Sequence, residues 1–143
     1  MTETKSIRVL IADDFKFLRD VIRSYLEQAA DMEVVDEARD VTDALESAIA
    51  LRPDVIIMND YLPPIDSAHA AALFRKQGVT AAIVVISVQP EADLIQRSFR
   101  SGINGIMDTD EIDDYLVGAI RQVHQGERYL SPRAQDASPS IEE

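Results

Sequence analysis

Asp54-Val55-Ile56-Ile57-Met58-Asn59-Asp60-Tyr61-Leu62-Pro63 decides how this chain folds. Val55-Ile56-Ile57 is apolar without alternation, the pattern of a strand buried on both faces. Such strands belong to parallel sheets covered by helices on both sides. Upstream, Arg52-Pro53 ends a helix, because the residue before proline is pushed out of the helical region. Downstream, Pro63-Pro64 stiffens a loop. The informative position is the strand end, Asn59.

The same alternation extends in both directions. Ile7 to Ala12 is a β-rich run stopping at Asp13-Asp14, and Leu18, Val21, Ile22, Tyr25 and Leu26 follow at helical spacing. Glu33 to Ala38 reads as a more exposed strand. Asp40 caps a helix with Val41, Ala44, Leu45, Ala48 and Ile49 on one face. Beyond the Pro-Pro loop, Ser67 to Gln77 is an Ala-rich helix closed by Gly78. Ala82 to Ile86 is a second fully apolar strand, ending at Ser87. Ala92, Ile95 and Phe99 mark a helix, Asn104 to Met107 a short fifth strand. Asp110 then caps a helix carrying Ile112, Leu116, Ile120 and Val123. Strand and helix alternate five times, the pattern of a doubly wound sheet with right-handed crossovers. The polar stretch Ala134 to Glu143 reads as a flexible tail or the start of a linker.

The length, 143 residues, suits one domain. The absence of Cys excludes disulfides and thiolate metal sites. No apolar run approaches a membrane span, and Met1 to Lys5 has no signal-peptide stretch, which together predict a cytoplasmic location without membrane attachment. The net charge is −12. Nucleic-acid binding rests on neutralising phosphates with a basic surface, and no basic stripe is visible, so direct nucleic-acid contact by this chain is not expected.

In doubly wound sheets, chemistry gathers at the carboxyl ends of the strands. Those positions are Asp13 and Asp14, Asn59, Ser87, and Asp108 with Thr109. Adjacent carboxylates after a buried strand have two readings. One of them caps the next helix. Or they are oxygen ligands for a hard cation such as Mg²⁺, which takes one or two carboxylates plus waters. His69 and His124 are the only histidines and read as ordinary surface residues.

The strand-three segment resembles the acceptor segment of bacterial response-regulator receiver domains, where an Asp ends the strand and a Pro follows four residues later. Ser87 matches the family's Ser/Thr position, and Asp13-Asp14 its metal-binding pair. Ile7 to Asp14 and the terminal Ile120 to Pro132 look like the receivers of NarL/LuxR-type two-component transcription regulators. The resemblance implies a flavodoxin-like (βα)5 doubly wound parallel five-stranded sheet of strand order 2-1-3-4-5. It covers residues 7–132 as a receiver-like domain, with an N-terminal extension at 1–6 and the tail at 133–143. It also makes the backbone carbonyl of Tyr61 a third metal ligand.

Against that pattern the chain departs twice. The acceptor position is Asn59, whose amide is a poor nucleophile and brings no charge to a metal. Asp60 is not expected to replace it: Asp54 and Pro63 both set position 59 at the strand end, and a one-residue slip turns a side chain to the opposite face. The family's lysine at the end of strand five is Thr109. A charge pair at about 4 Å and an effective dielectric of about 20 is worth on the order of 4 kcal/mol, and losing both partners removes it without stranding either charge. The family's aromatic switch position is Ile106, and Val88 is expected to add bulk near the pocket.

The expected function is therefore a signalling receiver module that works independently of phosphorylation, not an enzyme. It would dimerise or bind a protein partner through its first and last helices, in transcriptional control, with Mg²⁺ held weakly or not at all and a sensor kinase not required. A second reading is a conventional phospho-accepting regulator carrying an Asp-to-Asn change at position 59. A third, a catalyst or small-molecule binder built on Asp13, Asp14 and Asp108, lacks a general base, an activated nucleophile or a Gly-rich phosphate loop.

Overall fold

A computed structural model describes residues 6–138 of the chain. Its elements run β1 (Ile7–Ala12), α1 (Lys16–Glu27), β2 (Met32–Ala38), α2 (Val41–Leu51) and β3 (Val55–Asn59). A small hairpin follows, β4 (Tyr61–Leu62) with β5 (Ile65–Asp66), then α3 (Ser67–Lys76), β6 (Ala82–Ser87), α4 (Ala92–Arg100) and β7 (Gly105–Asp108). A 3₁₀ turn over Thr109–Glu111 leads into α5 (Ile112–His124), and β8 (Tyr129–Leu130) and α6 (Pro132–Ala137) complete the described chain.

The main sheet is parallel, in the order β2-β1-β3-β6-β7-β8. Its five long strands follow the expected order 2-1-3-4-5. The sixth, β8, is an addition, and so is the β4–β5 hairpin where a plain loop was expected. Both are two residues to a strand, too short to carry a period.

The tail assignment for residues 133–143 is corrected over its first part. Tyr129 and Ser131 donate their N–H groups to Asn104 O and Ile106 O, at 3.0 and 3.1 Å. That pairing extends the sheet and lays α6 against it, with Ala134 fully buried. The stretch is polar in composition, and one Ala at the right place is enough to dock a short helix. The extension at 1–5 and the last residues, 139–143, lie outside the described residues.

Local chemistry accounts for most of the boundaries. Asp40 caps α2 as expected, accepting from Asp43 N at 2.8 Å. Arg52 takes a left-handed conformation, φ 51°, just before Pro53 and ends that helix. The cap before α5 differs from expectation: Asp108, not Asp110, accepts the N–H of Asp110 and opens the 3₁₀ turn. Ile49 also departs from expectation, standing exposed rather than in the α2 core face.

The pleat divides the interior into two layers. Leu10, Ile56, Met58, Ile83, Val85 and Ile106 face α2, α3, α4 and α6, around Phe74. Val9, Ile11, Val55, Ile57, Val84, Ile86 and Met107 face α1 and α5, around Ile22, Leu116 and Ile120. This alternation positions the strand-end side chains.

Candidate functional site

Carried one step past the strands, the alternation sorts the polar residues into two sets. Ala12 pairs with Met58, so Asp13 and Asn59 come next on the α1/α5 side. Asn59 Nδ2 donates to Asp13 Oδ2 at 2.9 Å. Asn59 pairs with Ile86, so Asp60 and Ser87 fall together on the other side. There the Ser87 hydroxyl donates to Asp60 Oδ2 at 2.7 Å. Ser87 in turn pairs with Asp108 across β6 and β7.

The sequence sets Asp60 aside only as the acceptor, and the structure gives it a different partner, Ser87. Asp60 does lie on the face opposite Asn59, as a one-residue offset requires. That face is also where Ser87 stands, so Asp60 belongs to the site and engages the hydroxyl that the resemblance makes a switch. That shared face follows from the register of β3 against β6, which pairs Asn59 with Ile86.

Asp13 is buried and accepts a second hydrogen bond, from Phe15 N to Oδ1 at 2.8 Å. Burial raises its pKa above the ordinary carboxylate value. The Phe15 N–H and the Asn59 amide oppose that rise, and the neighbouring Asp14 charge adds to it. Asp14 is exposed. Neither acid caps α1, whose first residue follows Phe15 with no side-chain cap.

One residue of the site was missed. Arg19 is buried in α1 and donates from Nη1 to the backbone carbonyl of Asp13 at 2.7 Å. Its Nε reaches Glu37 at 3.0 Å, and Glu37 also accepts from Arg23 Nε at 2.6 Å. An arginine between Leu18 and Ile22, on the inward side of an amphipathic helix, was the available signal.

Thr109 lies in the 3₁₀ turn, and a cation near the end of β7 comes from elsewhere. Arg133, on α6, places Nη1 3.8 Å from buried Asp108 and 3.0 Å from Asp110. Its backbone N–H points at both Glu111 carboxylate oxygens, 3.3 Å away. Ser131 Oγ accepts from Asp108 N at 3.2 Å. A cavity of about 370 Å³ lies between Gln89, Pro90, Asp108, Arg133 and Asp136.

Ile106 is fully buried, paired with Val85 on one side and Leu130 on the other. Val88, expected to add bulk near the pocket, is 73% exposed. Tyr61 sits in the hairpin opposite Asp66, its side chain half exposed.

The donor set fits Mg²⁺ poorly. Mg²⁺ demands oxygen ligands in near-octahedral array. Here both oxygens of Asp13 already accept N–H groups, and Asn59 turns its nitrogen toward the acid. Asp108 is directed to Asp110 N and Arg133, so the trio Asp13, Asp14 and Asp108 is not a cluster. Among the described residues no group of three or more His, Cys, Asp or Glu stands close enough to hold a metal ion.

Residues 9–121 match the family described as the response regulator receiver domain. The chain is 32% identical over 127 residues to the uncharacterized transcriptional regulatory protein YvfU of Bacillus subtilis, covering 88% of this chain and 63% of that one. It is 32% identical over 127 residues to the response regulator GacA of Pseudomonas aeruginosa, covering 89% and 59%. The chain thus spans about three-fifths of the length of the curated relatives it matches. In fold it is similar to a two-component response regulator of the LuxR family from Aurantimonas, with a TM-score of 0.90 at 23% identity over 96% of this chain and 99% of that one. It is similar too to the signal receiver domain of NarL from Mycobacterium tuberculosis, with a TM-score of 0.81 at 27% identity over 86% of this chain and 99% of that one. With the matched segment running from β1 through most of α5, this chain belongs to the response regulator receiver domain family.

Proposed function

We propose that this receiver works as a phosphorylation-independent interaction module in transcriptional control. One observation carries the reading: the acceptor position is a hydrogen-bond donor, its amide held by Asp13 at 2.9 Å. An amide so engaged offers neither a nucleophile for phosphoryl transfer nor a charge for a metal. Thr109 in the lysine position agrees with it, and so does Asp60, which occupies the hydroxyl of Ser87.

On this reading Asp13, Asp14 and the Tyr61 carbonyl hold Mg²⁺ weakly or not at all. The chain acts in the cytoplasm, through a protein partner or a second copy of itself, and a sensor kinase is not required. Its α1 and α5, which pack side by side, are the candidate dimer surface. Contact with DNA belongs to another domain or a partner.

The test is exposure to acetyl phosphate, or to beryllofluoride, with Mg²⁺. Mass spectrometry should find no phosphoryl adduct, and the amide spectrum should not shift around Asn59. A stable adduct on any residue of the site, Asp60 included, would overturn the reading. The alternative, a conventional acceptor carrying an Asp-to-Asn change, predicts instead that Asn59→Asp alone restores rapid phosphorylation from a kinase.

A further inference from the structure

β8 is a two-residue edge strand, and α4 and α6 cover the same side of the sheet beside it. Phe99 of α4 and Leu130 of β8 pack against that apolar layer yet are only partly buried. Their open sides line a cavity of about 400 Å³, together with Arg128, Gln135 of α6 and Gln122 of α5. That size falls in the ordinary range of small-molecule sites, which join an apolar lining to a few placed polar groups. The polar groups here are held in place. Gln122 Nε2 donates to Arg128 O at 2.6 Å, and Gln135 Nε2 donates to Leu130 O at 2.9 Å. Each amide is anchored by one N–H and keeps its oxygen for another partner.

Charge decides what can fill it. Among the described residues Arg128 is the only charged side chain lining the cavity. Its guanidinium carbon lies 4.5 Å from the Phe99 ring centroid, a cation–π contact that leaves its N–H donors to other partners. Among the described residues it enters no ion pair, although the chain carries a net charge of −12. A carboxylate meets a guanidinium through two parallel N–H···O bonds. A compact anion would leave Phe99 and Leu130 uncovered, and a neutral apolar molecule would leave the guanidinium unanswered. An acid with an apolar body satisfies both.

We propose that this cavity binds a small amphipathic carboxylate, with the acid group on Arg128 and a flat apolar body against Phe99 and Leu130. The site goes beyond the reading of this chain as an interaction module and would give that module an input. Leu130, Gln135 and Ser138 among its walls belong to β8, α6 and the end of α6, and Arg133 of α6 reaches Asp108 at 3.8 Å. A ligand that needs these walls favours the docked segment by mass action. Its occupancy would be felt beside Asp108 with no phosphoryl transfer.

The test is calorimetric titration of the full chain with naphthoate, with its neutral amide and with acetate, no phosphodonor being present. The expected result is saturable binding of naphthoate alone. Arg128→Gln should weaken it by about ten-fold or more, the loss of a charge-assisted contact. Arg100→Gln, which removes an exposed cation outside the cavity lining, should change it by less than about two-fold. Bound naphthoate should slow hydrogen exchange across residues 129–137 in the parent and not in Arg128→Gln. No saturable binding, or an equal loss in Arg100→Gln, would overturn the site. Equal binding of the amide would mark an apolar face of the kind a protein segment covers, equal binding of acetate a lone surface cation, and either would overturn it too. Binding with no added protection at 129–137 would overturn the link to α6. A phosphoryl adduct formed with acetyl phosphate would overturn phosphorylation independence and leave this site standing.

Discussion

At the scale of single residues, the site is governed by which groups Asp13 and Asp60 engage. Asn59→Asp would set a second carboxylate where an amide now donates to Asp13 at 2.9 Å. Two like charges at about 4 Å and an effective dielectric of about 20 repel by on the order of 4 kcal/mol, an upper figure once the side chains relax. The variant should therefore unfold at lower denaturant than the parent. Mg²⁺, which the added oxygen ligand would favour, should restore more stability to the variant than to the parent. Asp13 itself gives a pH test. Burial raises its pKa in the folded state. A raised value means that its contribution to stability is complete below the unfolded value of 3.8 and is lost as pH rises through the folded one. Asp13→Asn, which cannot ionise, should gain stability relative to the parent between about pH 3 and pH 7. The lost acceptor sets a constant offset, so the trend of the denaturation midpoints with pH is the measurement.

At the scale of elements, β8 and α6 are held to the sheet chiefly through β7. Ala134 is fully buried, and Ala134→Asp would force an unpaired charge into that contact. Hydrogen exchange should then show residues 129–137 losing protection while β1, β3 and β6 keep theirs. The same segment reports through Tyr129, whose phenol is pushed up to about 12 by burial, with the charges of Glu111 and Tyr115 adding to it. Its contribution to stability is present below the ordinary value of 10.0 and is lost as pH rises through about 12. A spectrophotometric alkaline titration should show one of the four tyrosines ionising late, and Tyr129→Phe should remove that step.

At the scale of the whole molecule, two apolar layers share one sheet, so damage to either should appear in one transition. Phe74→Ala on one side and Ile57→Ala on the other remove fully or almost fully buried side chains. They should cost about 3–5 and about 2–5 kcal/mol respectively, with circular dichroism and tyrosine fluorescence moving together. Phe17→Ala, at an exposed position of α1, should change stability by less than about 0.5 kcal/mol.

The sequence alone determined the five-strand alternation, and its resemblance to receiver domains implied the strand order and the Asn59 and Thr109 departures. Continuous apolar runs such as Val55-Ile56-Ile57 admit little besides a doubly covered parallel strand, and the identity of a strand-end residue needs no coordinates. What only the tertiary structure decided was how the polar groups pair. Asn59 with Asp13 and Ser87 with Asp60 depend on the register between strands that lie far apart in the chain, and a register is set by packing across the sheet. Arg133 beside Asp108, and the burial of Ala134, depend on a two-residue strand and a short helix. Neither is long enough for its own periodicity to announce it, and both are held in place by contacts with β7.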